Sequence, residues 1–140
     1  PLIAFAGPLL CQFAGVGNAD GVRCLVDCGV PVDVEWAEGD GYFGTPARSR
    51  ALHVAAWRGR HDAVRTLLAL GATVDVEDGQ GRTPLELAVR ACTDSYWQGR
   101  RAPDSIAALL EAGADPWRVP LPTGYDAADA LLERFRRQRE

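Results

Sequence analysis

The chain has 140 residues with a formal net charge of −4, and a length of this order suits a single domain with one continuous core. The acidic balance argues against nucleic acid as a partner, because phosphate backbones are normally met by an excess of Lys and Arg. All 15 basic residues are arginine, and with the alanine and glycine content this indicates the coding bias of a GC-rich bacterial genome.

The N-terminal stretch from Pro1 to Ala14 is apolar but lacks the basic leader of a signal peptide, so we interpret it as part of the fold. The chain contains no methionine and starts at what would be the middle of a repeated unit. We therefore expect a fragment of a longer polypeptide. No stretch is long enough for a transmembrane helix, and we expect no association with membranes.

A repeated unit organises the rest of the chain. Six residues between Gly17 and Asp33 recur unchanged 42 positions later, between Gly59 and Asp75, and Val26 maps onto Leu68. The unit has the pattern of two short helices joined by a glycine turn. Because such a unit cannot bury its apolar face alone, it must stack on copies of itself.

Local signals define the helices of the unit. Val64, Leu67 and Leu68 lie at positions i, i+3 and i+4 and predict an apolar stripe, which Gly71 should end in the left-handed conformation. In the third copy, the pair Thr83-Pro84 predicts a capping threonine followed by a proline in the first helical turn.

The connection before the second copy, residues 35–50, carries nine extra residues. Its glycines and aspartates predict a lengthened hairpin or loop that displays Trp36, Tyr42 and Phe43. Aromatic side chains on a rigidly mounted loop are favoured interface anchors. They could equally fold back onto the stack and seal it, and the sequence leaves both alternatives open.

A second insertion of nine residues falls around positions 92–101, interrupts the third copy and contains Tyr96 and Trp97. Helical spacing continues through Cys92 into Tyr96, which predicts a longer first helix that Gly99 would end. Asp104 is the expected cap of the next helix.

The C-terminal segment predicts a helix that closes the stack. Thr123 and Asp126 have the spacing of a capping box. The following helix would bury one face, made of Tyr125, Ala128, Leu132 and Phe135. It would place Arg134, Arg136 and Arg137 outside or at its end, where they suit a solvated cap better than a nucleic-acid arm.

The four cysteines suggest packing. Cys24 occupies the position of Thr66 in the next copy, and Cys28 lies one turn later, so we expect buried or half-buried thiols. The spacing of Cys and His residues does not suit zinc, and we expect no metal and no cofactor. Reduced cysteines indicate a cytoplasmic protein.

The basic period of about 33 residues, together with the string Gly81-Arg-Thr-Pro-Leu-Glu-Leu-Ala88, resembles the ankyrin repeat. The resemblance implies an all-α solenoid of helix-turn-helix units with short hairpin or loop fingers. It divides the single domain, 1–140, into a partial first repeat (1–34), an extended finger loop (35–50), a second repeat (51–77), a third repeat with its insertion (78–117) and a C-terminal capping helix (118–140).

The second copy departs from the family pattern. Arg50 and Ala51 replace the usual Thr and Pro, so His53 lacks the threonine of its hydrogen-bond network. Its role stays open. In the first copy Cys11 stands where His53 does, and only the second half of that copy is recognisable.

The resemblance implies a protein that binds other proteins on its concave face and fingers. Trp57 and Arg58 match concave-face positions, and we expect Trp57 to be exposed, the alternative being that it packs beneath Tyr96 or Trp97. Gly79, Gln80 and Arg82 match finger positions. The candidate contact residues are Trp36, Tyr42, Phe43, Trp57, Arg58, Gln80, Arg82, Arg90, Tyr96 and Trp97.

We expect a monomeric interaction module or scaffold, with no enzymatic activity. The repeat explains His53, and His61 falls on a variable surface position beside Asp62. No serine has the context of a nucleophile elbow, and no glycine-rich loop has the context that cradles phosphate. The alternatives are an intramolecular regulatory or scaffolding segment and, less favoured, a small-ligand or metal-binding domain built on the insertions.

Overall fold

A computed structural model of the chain describes residues 2–39, 45–93 and 102–139, with side chains from Ala6 onward. The elements in these ranges are α1 (Leu2–Gly15), α2 (Ala19–Asp27), β1 (Glu35–Trp36), β2 (Ser49–Arg50), α3 (Ala51–Trp57), α4 (His61–Ala69), α5 (Pro84–Thr93), α6 (Asp104–Glu111), a 3-10 turn (Pro116–Arg118) and α7 (Asp126–Gln138).

The helices form two layers. The inner helices α1, α3 and α5 pack side by side, and the outer helices α2, α4 and α6 pack behind them. A glycine with positive φ follows each outer helix, and Gly71, with φ of 95°, confirms the predicted left-handed ending. Antiparallel pairing of β1 with β2 joins the first outer helix to the second inner helix.

A continuous apolar core runs between the layers. Val64 and Leu67 are fully buried, Leu68 is half-buried, and the equivalent Leu109 and Leu110 are fully buried, so the predicted stripe is confirmed. Each buried leucine of this kind contributes about 1.5 to 3 kcal/mol of hydrophobic stabilisation. Stacking of repeated stripes therefore supplies the driving force for folding.

The predicted start of α5 is confirmed, and a second hydrogen bond is present besides the predicted threonine cap. Pro84 is its first residue, and the hydroxyl of Thr83 accepts the backbone N–H of Glu86 at 3.4 Å. The Glu86 carboxylate accepts the Thr83 N–H in return, at 3.1 Å. This reciprocal capping box satisfies two backbone donors that the helix itself leaves free.

Helix α7 packs on α6 and on the 3-10 turn. Ala128, Leu132 and Phe135 are buried, as predicted. The predicted capping box is wrong, because Thr123 donates through its N–H and its hydroxyl to Asp129 and not to Asp126. A capping box at Thr123 would make Gly124 the first residue of the helix. The helix begins two residues later, at Asp126.

Arg136 lies in the last turn of α7, at the end of the helix as predicted, but its side chain is half-buried. Its Nε and Nη2 donate to the carbonyls of Pro116 and Val119, and its guanidinium stands 4.5 Å from the ring centre of Trp117. The 3-10 turn packs beside α7 and leaves these carbonyls without helical partners. Arg136 therefore fastens α7 to the turn, while Arg134 and Arg137 are exposed.

The expected burial of Cys24 and Cys28 is also wrong, since both are exposed. The equivalent Thr66 is buried because α4 lies between two outer helices. Among the described elements, α2 has an outer helix beside it on one side only. The face of α2 that corresponds to the buried Thr66 face of α4 is therefore exposed to solvent.

Two local expectations around α6 are corrected. Pro103 is the N-cap of α6, and Asp104 is the first helical residue, with Oδ2 3.4 Å from a guanidinium nitrogen of Arg65. His61 is half-buried, with Nδ1 2.6 Å from the hydroxyl of Ser105. These contacts join α4 to α6 across the outer layer.

Two aspartates connect successive repeats. Asp33 accepts the backbone N–H of Thr73 at 2.9 Å, and its second oxygen accepts the Thr73 hydroxyl at 2.6 Å. Asp75 accepts the backbone N–H of Asp115 at 3.1 Å. Both contacts span 40 residues, so an equivalent side chain in each repeat binds the segment that follows the next outer helix.

Candidate functional site

The surface between α3, α5 and the segments that precede or follow them forms a groove. We call it the inner groove. One end is a small pocket of about 40 Å³ lined by Pro46, Trp57, Arg82 and Leu87 among others. The other end is a pocket of about 260 Å³ whose lining includes Val89, Arg90, Val119 and Pro120.

Trp57 lines the smaller pocket, and Arg90 lines the larger one. They occupy equivalent positions on α3 and α5, 33 residues apart. The Arg90 guanidinium lies 5.9 Å from the ring centre of Trp57, within the distance of a cation–π contact. Trp57 is half-buried, so the expected exposure holds for part of the ring only.

Arg58 lies beside Trp57 and crosses to the neighbouring inner helix. A Cβ atom at Gly15 would stand 2.6 Å from Arg58 Nη1, so the guanidinium occupies the space that a side chain at Gly15 would fill. Arg60 donates from Nε to the Gly15 carbonyl at 3.1 Å. Two guanidinium groups therefore stand at the negative end of α1.

The predicted hairpin finger is present where the structure describes it. Trp36 pairs with Ser49 and Glu35 with Arg50. Trp36 is half-buried and packs against the core, which for this residue agrees with the alternative that the aromatic rings fold back onto the stack. The candidate contact residues Tyr42 and Phe43 in the finger, and Tyr96 and Trp97 in the second insertion, lie outside the described residues.

The next connection, 76–82, contacts the finger directly. Gly79 donates its N–H to the Ala47 carbonyl at 2.7 Å, which commits this residue to packing between connections. Asp78 Oδ1 accepts the N–H groups of Gln80 and Arg82. Gln80 is consequently exposed on a fixed turn, and the Arg82 side chain lines the inner groove.

One position of each inner helix fastens the following connection. Cys11 donates its thiol to the Ser49 carbonyl at 4.0 Å. His53, its equivalent on α3, contacts the carbonyls of Val76 and Arg82 through Nε2 at 2.8 and 3.2 Å. The open question about His53 is thereby answered, because it joins α3 to the connection without the usual threonine.

The protonation of His53 follows from its partners. The Arg50 N–H donates to Nδ1 at 3.1 Å, so the proton must lie on Nε2, which then donates to the two carbonyls. Burial lowers the pKa of His53. Burial also raises the pKa of the Cys11 thiol to about 12, so this cysteine stays protonated and unreactive near neutral pH.

Glu86 occupies the same position on α5. It accepts two hydrogen bonds from Arg118 on the 3-10 turn, from Nε at 3.2 Å and from Nη2 at 2.8 Å. Arg118 also donates to Glu77 and to the Gly81 carbonyl. These bonds hold the last connection against α5, next to the larger pocket.

The far wall of the inner groove, formed by Val119, Pro120 and Pro122, was not predicted from the sequence. A signal was available. The repeat offset of 42 residues places the finger position Gln80 on Pro122. Applying that offset to the fingers as well as to the helices would have extended the predicted surface to this segment.

Other chemistry has little geometric support. In the described ranges, no three His, Cys, Asp or Glu residues are grouped as a metal site would require. The Ser105 hydroxyl beside His61 belongs to a buried residue and joins two helices. None of the helices that the structure describes combines the length and apolar character needed to cross a membrane.

Comparison with known proteins gives the same fold. Residues 25–88 match the family model of ankyrin repeats (many copies). The crystal structure of the human ASB11 ankyrin repeat domain is similar, with a TM-score of 0.66 over 89% of this chain and 22% sequence identity. The chain spans 53% of that domain. No curated protein matches the sequence. The predicted all-α solenoid of helix-turn-helix units is confirmed.

Proposed function

We propose that this chain, which has the ankyrin-repeat fold, binds a partner protein, or another domain of its own polypeptide, through the inner groove and the extended finger. Ankyrin repeats generally act as protein interaction modules and are typically non-enzymatic. What we propose beyond this general role is the surface on which the partner docks.

The pair of Trp57 and Arg90 carries the proposal. Tryptophan and arginine are among the residue types most enriched in binding hot spots, and hot spots cluster in well-packed, desolvated pockets near the centre of an interface. Trp57 is half-buried and lies under the Arg90 guanidinium, and each of the two residues lines one of the pockets. A partner that covers this pair would gain contact area while ordering few side chains.

The finger extends the same surface. Pro46 follows the part of the finger that holds Tyr42 and Phe43 and lines the small pocket. Gln80, on the adjacent connection, is exposed on a turn fixed by Asp78. We propose that these residues form the rim of the interface around Trp57.

We propose that the chain is located in the cytoplasm. The four cysteines are free thiols, two of them buried, which suits the reducing conditions of that compartment. We propose that the chain binds its partner as a monomer, and light scattering of the free chain and of the complex would test the stoichiometry.

A pair of tryptophan variants tests the docking surface. Trp57→Ala should abolish capture of a partner that is identified by mass spectrometry from extracts of the source organism. Trp117→Ala is the matched control, because Trp117 is 55% exposed on the 3-10 turn and lies outside the inner groove as defined. Tyr42→Ala tests the finger separately.

Thermal unfolding must accompany the capture assay. If Trp57→Ala melts close to the original chain and still captures the same partner, the inner groove is not the docking surface. A marked fall in melting temperature for Trp57→Ala would assign the ring to packing and remove the main support for the proposal.

A further inference from the structure

We propose that Arg118 determines which side chain of the partner the inner groove selects, by holding residues 119–122 at the distance from α5 that lets the larger pocket admit an aromatic ring. This inference rests on the proposed function and names a residue that sets the specificity of the same surface. Arg118 does not line the pocket itself. It acts through Glu86 and the pocket wall, and is therefore a positioning residue.

The Arg118 side chain joins the last connection to three different partners. Its Nη1 donates to Glu77 at 2.8 Å, and its Nη2 donates to the Gly81 carbonyl at 2.9 Å. Nη2 and Nε also donate to Glu86 on α5, at 2.8 and 3.2 Å. Hydrogen bonds between ionised groups are roughly twice as strong as neutral ones. Arg118 therefore fixes the point of the backbone at which the pocket wall begins.

The equivalent position in the preceding repeat is held in a different way. His53 contacts two backbone carbonyls of the connection directly, at 2.8 and 3.2 Å, whereas Glu86 contacts the end of a long side chain. His53 lines the smaller pocket, of about 40 Å³, and Glu86 lines the larger one, of about 260 Å³. We attribute the larger pocket to the arginine side chain that separates the backbone of the last connection from the carboxylate on α5.

The larger pocket has the size and the walls to hold an aromatic ring. Its apolar walls are formed by Val89, Val119, Pro120 and Pro122. An apolar cavity of about 150 Å³ is enough to bind benzene, and this pocket, of about 260 Å³, is larger. A short aliphatic side chain would leave part of the space empty, and the lining atoms there would lose their contacts. An aromatic side chain is therefore the ligand that fits the pocket best.

The pocket wall is also held on its other side, by α7. Arg136 donates from Nη2 to the Val119 carbonyl at 2.6 Å, and Val119 is buried. Glu86 has bonds of its own with Thr83 at the start of α5. We therefore expect the wall and α5 to stay folded when Arg118 is replaced, and only the distance between them to become variable.

Selection of random linear peptides displayed on phage, with the intact chain as bait, supplies the ligands for a test. We expect the peptides that require Trp57 to share one aromatic residue. Replacing that residue by alanine should weaken binding to the original chain about tenfold or more, since burial of an aromatic ring is lost. In Arg118→Gln the ratio of the two dissociation constants should fall to about one, while the alanine peptide binds both chains alike.

Arg65→Gln is the matched control. Arg65 also binds two carboxylates of the chain, those of Asp62 and Asp104, but it lies on the outer helix α4. Its replacement should leave the ratio unchanged. Arg118→Lys keeps the charge and lacks the planar fork, so its ratio should lie between those of the original chain and Arg118→Gln. If circular dichroism shows that Arg118→Gln does not fold, the same comparison is made with Arg118→Lys.

The outcomes separate this inference from the proposed function. An unchanged ratio in the folded Arg118 variant, or an equal loss of affinity for both peptides, would assign Arg118 to stability alone and overturn the inference. Peptides that require Trp57 but share no aromatic residue would overturn the choice of ligand and leave the docking surface intact. Selection that yields no peptide dependent on Trp57 would contradict both proposals.

Discussion

Cys11, His53 and Glu86 show how one position can keep its task while its chemistry changes. Each side chain joins an inner helix to the connection that follows, through a thiol, an imidazole and a carboxylate respectively. The repeat offset identified the three as equivalent. It could not predict what they do, because their partners are backbone carbonyls and one distant arginine whose positions depend on how the connections fold.

His53 makes the stability of the chain depend on pH. Its folded-state pKa lies below the ordinary value of 6.5, so the unfolded chain binds the proton more readily. Its contribution is fully present above about pH 6.5 and is lost as pH falls through the lowered folded-state pKa. Urea unfolding should therefore show a free energy of unfolding that decreases from about pH 7.5 to about pH 5.

Two histidine variants assign this pH dependence. His53→Gln, which has no titrating group, should be less stable at neutral pH but should show a flatter profile over this range. His61→Ala is the matched control, since His61 is the only other histidine of the chain. An unchanged slope in His53→Gln would contradict the assignment.

The helices themselves were largely predictable, and so were the glycine ending of α4 and the start of α5, which depend on local sequence alone. Periodicity located α4 and the buried face of α7, since apolar spacing follows directly from helical geometry. The cap of α7 was misassigned, because Thr123 finds its acceptor six residues later, after a loop whose path the sequence does not specify. Exposure of Cys24 was missed for a related reason: a pattern within one helix does not record how many neighbours the helix has.

The capping of α7 gives a matched pair of variants. Asp129→Ala removes the acceptor of two hydrogen bonds from Thr123 and should lower the free energy of unfolding by about 1 to 2 kcal/mol. Asp126→Ala removes the same charge from the first turn and should cost about 0.5 kcal/mol or less, through the helix dipole alone. Chemical denaturation measures the free energy of unfolding of both variants. Equal losses of stability would favour the predicted capping box of Thr123 and Asp126.

At the scale of the whole molecule, the two layers of stacked helices share one core. A change in the middle of the stack should therefore be felt throughout it. Leu67→Ala, at a fully buried position of α4, should cost about 2 to 5 kcal/mol while unfolding stays a single transition. Val16→Ala, at a position 61% exposed, should change stability by less than about 0.5 kcal/mol. Separate transitions monitored by circular dichroism and by tryptophan fluorescence would contradict one shared core.

The contacts of Asp33 with Thr73 and of Asp75 with Asp115 run in one direction along the chain. The same offset of 42 residues leads from Asp75 to Trp117, which has no carboxylate and stacks with Arg136 instead. The aspartate contact therefore recurs from one repeat to the next until position 117. A tandem duplication of residues 34–75 would therefore supply an aspartate and a matching backbone donor at the new junction, so this contact between successive repeats would be kept in a longer array.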